Sequence, residues 1–368
     1  MCGGQGWTRR AILSSFTALS VSAAASDKDR TFPSERVRYL DPATEFPVFR
    51  LTDPAHSSEL PAYTCRAVSR RNAFLLYSSD RTGSPQAFRM DLRTGQSVQL
   101  TEARDLDRSS LSLLPDDGGF CYIDGGALRV VSFRRMKEKE VYRLAGGAKN
   151  GPGVNISQEG GYALLTAVHD GGSQLMLAPL SRGTARVVAT SSGTLAYPIA
   201  SPRGDAVLYR DGASSLRVVR TDGRDNRSLL VASGPGGAAY WSPEGDSALY
   251  LSLPAERGRL NSIRQTSISS AEDRQIAATS QFAQFAANED ASVFAGASGS
   301  LASPYLLILL RRTGREVTLC EHRASDAVRT APVFSYDSQR IFFQSDRHGR
   351  PAIYYIPVER MVERTPDV

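Results

Sequence analysis

The stretch from Ala331 to Ile356, APVFSYDSQRIFFQSDRHGRPAIYYI, reads as three short strands joined by two turns. Pro332 to Phe334 is the first strand and Ser335 to Gln339 a polar turn. Arg340 to Gln344, rich in β-branched and aromatic residues, is the second strand. Ser345 to Arg350 turns the chain again, and Ala352 to Ile356 completes most of one antiparallel sheet. The unit recurs near the other end, where Val68 to Asn72 leads into AFLLYSSDRTGSPQAFRMDL, so that Ser79 to Gly83 matches Ser345 to Gly349.

Weaker copies lie between: LLPDDGGFCYI from Leu113, ISQEGGYALLTA from Ile156, ASPRGDAVLYR from Ala200, WSPEGDSALYLS from Trp241 and AANEDASVFAGA from Ala286. The first turn residues are Ser69, Leu114, Ser157, Ser201, Ser242, Asn288 and Ser335, spaced by 45, 43, 44, 41, 46 and 47 residues. A steady period with several strands per repeat implies blades that bury their faces only against one another in a closed ring. The expected fold is all-β: a seven-bladed β-propeller of four-stranded antiparallel blades spanning residues 46–360. Phe46 to Thr52 is an isolated strand before the first repeat, and the last repeat has only three strands of its own. An N-terminal strand is therefore expected to close the last blade. Residues 101–112, 145–155, 190–196, 232–239, 272–283 and 321–331 read as links between blades.

Residues 1–25 read as an export signal, with Arg9 and Arg10 before an apolar run from Ala11 and a small-residue cleavage site at Ala23 to Ala25. The paired arginines are of the twin-arginine type, so a periplasmic or secreted protein is expected. The run is too short and polar for a stable membrane anchor. Residues 26–45 are expected as a lead-in over the surface and 361–368 as a tail. The net charge of +6 falls to +4 without the two arginines of the signal, and the remaining basic residues are scattered, so nucleic-acid binding is not expected. Cys65, Cys121 and Cys320 stand in different repeats without metal-ligand spacing and read as buried thiols.

The run Phe49 to Thr52, DLRTGQSVQLTE from Asp91, LLPDDGGFCYI from Leu113 and QSDRHGRPAIYYI from Gln344 resemble the oligogalacturonate lyases, seven-bladed propellers that degrade pectin fragments by β-elimination. The likeness runs over about residues 40–358 in blade order. It implies a histidine base and a manganese ion held largely by histidines, near the start of the inner strands of blades five to seven. The base removes the proton α to a carboxylate while the metal neutralises the developing enediolate. Carried over residue by residue, the base falls on Ala238, the sixth-blade ligand on Gln284, the final histidine pair on Arg329 and Ala331, the accompanying glutamine near Asp326, and a fourth-blade arginine at about Ser215. The only histidines are His56, His169, His322 and His348, none of them at an inner-strand start. The catalytic residues are therefore left unassigned, and no cofactor is expected, manganese included.

Counting four residues back from each polar turn collects Cys65, Ser110, Gly153, Tyr197, Ala238, Gln284 and Ala331 around the channel. Within and beside this ring, Arg66, Tyr197, Gln284, Asp326 and Arg329 are the candidate binding residues, since guanidinium forks suit an anionic sugar. The same arginines could instead pair with neighbouring aspartates at the rim. Two functions stay open: a divergent or inactive lyase that binds a uronate such as an oligogalacturonide, or a non-enzymatic TolB-like propeller that binds an envelope protein or peptide. A peptidase propeller is excluded, because no G-x-S-x-G elbow occurs and no residues remain for a hydrolase domain.

Overall fold

The computed structural model describes residues 1–3 and 27–363, except 182 and 257. All but the first three residues of the expected signal, and most of the expected tail, lie outside these. The described chain forms seven antiparallel sheets of four or five strands. The opening stretch folds as read: Val333–Phe334, Arg340–Ser345 and Ala352–Pro357 lie side by side in the last sheet. Pro47–Arg50 adds the closing strand to it, with Phe49 opposite Tyr355 and their rings stacked 4.6 Å apart.

The residues before the closing strand do more than cross the surface. Val37–Leu40 pairs with Pro47–Arg50 as a fifth strand of the last blade, and Thr31–Phe32 pairs with Ser97–Gln99 as a fifth strand of the first. One short segment thus borders both blades at the ring's seam.

Several repeats share the same devices. The serine opening the polar turn is buried, and its hydroxyl accepts the N–H groups that start the next strand: Ser69 takes those of Ala73 and Phe74, and Ser335 those of Gln339 and Arg340. The second strand carries a buried tyrosine whose hydroxyl reaches the blade's outer part, from Tyr77 to Ser97, Tyr209 to Asn226 and Tyr250 to Asp273. In the matched turns Asp80 to Gly83 and Asp346 to Gly349, the glycine adopts φ of 97° and 102°, a left-handed conformation that a side chain would strain.

The core is correspondingly sevenfold, with one apolar cluster at each interface between neighbouring blades. Each buried Phe, Leu or Ile there contributes about 1.5–3 kcal/mol relative to exposure. Cys65, Cys121 and Cys320 are buried free thiols, as expected.

Candidate functional site

All seven inner strands are interrupted at one level, four to six residues before their polar turns. In blades four, five and six the interruption is a bulge, between Ala196 and Ile199, Gly236 and Ala239, and Phe282 and Gln284. In blade seven a short 3-10 helix, Ala327–Thr330, precedes Ala331 with φ of 43°. The first blade has the longest excursion: Ser58–Glu59 pairs with the second strand, and pairing resumes only at Val68.

The residues between, Leu60 to Ala67, form a strap across the channel. Tyr63 leaves blade one and packs on Tyr197 of blade four at 4.9 Å and on Tyr240 of blade five at 5.3 Å, a reach that only a path across the axis allows. Tyr240 stacks edge-on against Phe285 of blade six at 5.2 Å and donates its hydroxyl to the Phe285 carbonyl. Leu60 N–H donates to Gln344 Oε1, Asn155 Nδ2 donates to the Thr64 carbonyl, and the Cys65 thiol donates to the Val154 carbonyl. Glu59, at the strap's start, is clasped by Arg108 at 3.1 Å and Arg329 at 3.2 Å.

Beneath this aromatic cage lies Arg210, only 6% exposed. It donates at 2.5 Å to the Gly237 carbonyl, and among the described residues it has no carboxylate partner and its Nε no acceptor. A Cβ on Gly236 would lie 2.3 Å from its guanidinium, so this approach requires glycine. Burial lowers the Arg210 pKa, opposed by Tyr63, Tyr250 and Tyr197, and burial raises those of Tyr63, Tyr197 and Tyr240. The hydroxyls therefore stay protonated at neutral pH. The cage offers a cation and neutral hydroxyls, and no base.

The candidate residues read from the sequence separate into three places. Tyr197, with φ of 53°, joins the cage, and Ala238 is buried in the apolar cluster against which Tyr63 packs. Gln284, 6% exposed, sits at the sixth-blade bulge, where its Oε1 accepts the Phe285 N–H. Asp326 and Arg329 line one small hollow with Gln344 at the link end. Asp326 caps the short helix by accepting the Val328 N–H, and Arg329 is the exposed partner of Glu59. Arg66 lies toward the turn end, 2.6 Å from Asp117 and donating to the Leu114 carbonyl. Both arginines are thus ion-paired, the blander of the two readings open to them.

The donor set at the transferred ligand positions does not fit manganese. Ala331 has no donor, Arg329 is a cation, and Gln284 Oε1 and Asp326 Oδ1 each accept a backbone N–H, which leaves too few donors for a manganese site. No group of three or more His, Cys, Asp or Glu that could hold a metal occurs among the described residues. His322 is buried, with Nδ1 accepting the Ala324 N–H and Nε2 3 Å or less from the Ser298 carbonyl, which makes Nε2 the donor. His348 meets the Tyr354 hydroxyl at 2.8 Å.

Tyr63, Tyr240 and Arg210 are missing from the sequence-derived set. Arg210 had a signal: at its position in the second strand the other blades carry Ser78, Ile123, Thr166, Leu251, Ala297 and Gln344, so it is the one charge.

No family model matches the chain. Among characterised proteins it is 23% identical to the oligogalacturonide lyase of Pectobacterium atrosepticum and 22% identical to the oligogalacturonate lyase of Dickeya dadantii, in each case over 87% of this chain and 95% of the relative. A solved oligogalacturonate lyase in complex with manganese superposes with a TM-score of 0.83 at 21% identity, covering 90% of this chain and 98% of that one. The resemblance read from the sequence holds along the whole ring: this chain is a distant relative of the oligogalacturonate lyases.

Proposed function

We propose that this protein is an exported, lyase-like propeller that binds a uronate sugar without performing the β-elimination of its relatives. The observation that carries the reading is the filled base position. Ala238 is buried in the apolar cluster against which Tyr63 and Tyr240 pack, and the polar groups of the adjoining cage are hydroxyls held protonated and one guanidinium. Elimination requires a proton acceptor and an electrophile placed together at the reacting carbon. Arg210 can neutralise a carboxylate but cannot remove a proton, and the transferred manganese positions lack a donor set. The similarity to lyases of oligogalacturonides supports the substrate class.

The test is incubation with short oligogalacturonates, with and without added manganese, following the ultraviolet absorbance of the unsaturated uronate, with titration calorimetry on the same sugars. Expected are binding and no product above the protein-free rate. Product formation would overturn the loss of chemistry, and absence of binding would overturn the sugar reading.

A further inference from the structure

The strap fills the channel at the level of the inner-strand interruptions, but the channel beyond it is open. A cavity of about 330 Å³ begins at Thr64 and Cys65 and descends between blades seven, one, two and three to their polar turns. That volume falls in the range of about 300–1,000 Å³ typical of small-molecule sites. At the turn end it shares Arg70, Pro115 and Tyr336 with a wider hollow of about 760 Å³, which serves as its mouth.

The mouth is lined by Arg70 and Arg71 and by Asp116 and Asp117, and its charges are not all joined in ion pairs. Arg66 is matched by Asp117 and spends a further N–H on the Leu114 carbonyl. Arg70 has its backbone fixed by donation from its N–H to Asp117 Oδ2 at 2.8 Å, and its guanidinium lies 5.9 Å from the centre of the Tyr336 ring. No carboxylate lies within ion-pair distance of that guanidinium among the described residues. Tyr336 is itself held, with its N–H on Asn72 and its hydroxyl facing Glu289. The cavity wall carries no acidic side chain and presents neutral polar groups, Gln158 among them, interleaved with Val68, Leu113, Ile156 and Val333. A cation at the rim of a pocket whose walls alternate polar and apolar groups suits a small hydroxylated carboxylate. One pyranose ring bearing a carboxyl has polar edges, apolar C–H faces and a single charge.

We infer that the turn-end cavity is a binding site for a monomeric sugar acid, with Arg70 pairing its carboxylate and the ring seated between the inner strands against the strap. This rests on the uronate reading for the ligand class, while the site itself is independent of the cage. It also sets a size limit, since the strap closes the far end and a longer oligomer must extend outward through the mouth.

The experiment is calorimetric titration of the full chain with D-galacturonate, D-galactose and inorganic phosphate, repeated on Arg70→Ala and on Arg224→Ala, whose arginine is 86% exposed on an outer hairpin. Equal melting temperatures establish that both variants fold. Expected is galacturonate binding that weakens at least 10-fold in Arg70→Ala and is unchanged in Arg224→Ala, with galactose at least 10-fold weaker than galacturonate. Phosphate binding as tightly as galacturonate would overturn the sugar-acid assignment. Galacturonate binding insensitive to Arg70→Ala would overturn the site and leave the uronate reading intact. Binding of oligogalacturonates without binding of the monomer would likewise overturn the site alone, and binding of neither would remove both.

Discussion

His322 is neutral by construction. Its Nδ1 accepts the Ala324 N–H, so a second proton would remove the acceptor and place a charge in a site that is 1% exposed. Its pKa is lowered from the usual 6.5, by burial first and by Arg347, against the Ser298 carbonyl and Asp346. A histidine depressed in the native state binds fewer protons than in the unfolded chain. Its contribution is therefore complete above the unfolded pKa and is lost as pH falls from there toward the native value. The free energy of unfolding in urea is expected to fall between pH 7 and pH 5 by more in the wild type than in His322→Gln. Identical pH slopes for the two proteins would refute this role. His322 was readable only as lying at a blade exit, since its two partners come from loops that no local pattern specifies. Arg210 is absent from the sequence reading although it leaves a trace there, because a charge near the end of AVLYRD breaks the repeat's own pattern. What could not be read is its lack of a partner, which depends on tyrosines from blades one, four and five.

At the scale of elements, the strap is where local reading stops. LPAYTCRA has the composition of an inner strand, and its departure from the sheet is decided by Tyr197, Tyr240 and Gln344, each well over a hundred residues away. Truncation of Tyr63 tests whether the strap is wedged in place. Tyr63→Ala is expected to cost about 2–3 kcal/mol in urea unfolding, less than the 3–5 kcal/mol of a fully buried aromatic because Tyr63 is only half-buried. Tyr63→Ala and Tyr240→Ala should combine less than additively, since they share one contact. Wild-type stability for Tyr63→Ala would mean that the strap is held by its backbone bonds alone. The outer strands were the other weak point. Asp273–Ala278 lies inside the stretch 272–283 that reads as a link, because an outermost strand with one face in water is as polar as a loop. The second and third strands of the last blade, Arg340–Ser345 and Ala352–Pro357, agree with the sequence reading to within one residue.

The whole molecule is a ring held by one clasp. Its period, its blade number and its closing strand were all carried by the sequence, because repetition reports a fold that a single segment does not. The added strands at Thr31–Phe32 and Val37–Leu40 were not, being short, polar and outside the repeat. Deleting Phe46 to Thr52 removes the strand opposite Tyr354 and Tyr355 and leaves that edge without its ladder. A fall in melting temperature of more than 10 °C, or loss of cooperative unfolding, is expected, and an unchanged melting temperature would refute the pairing. The same clasp bears on how the chain is made. Thr52 meets Ile353 across 301 residues of sequence, so the ribosome delivers one half of the seam long before the other. At about 5–20 residues per second the early half waits roughly 15–60 s. During that interval six blades can assemble in order while Pro47–Arg50, paired on one side with Val37–Leu40, keeps its other edge open until the last strand of the ring is made.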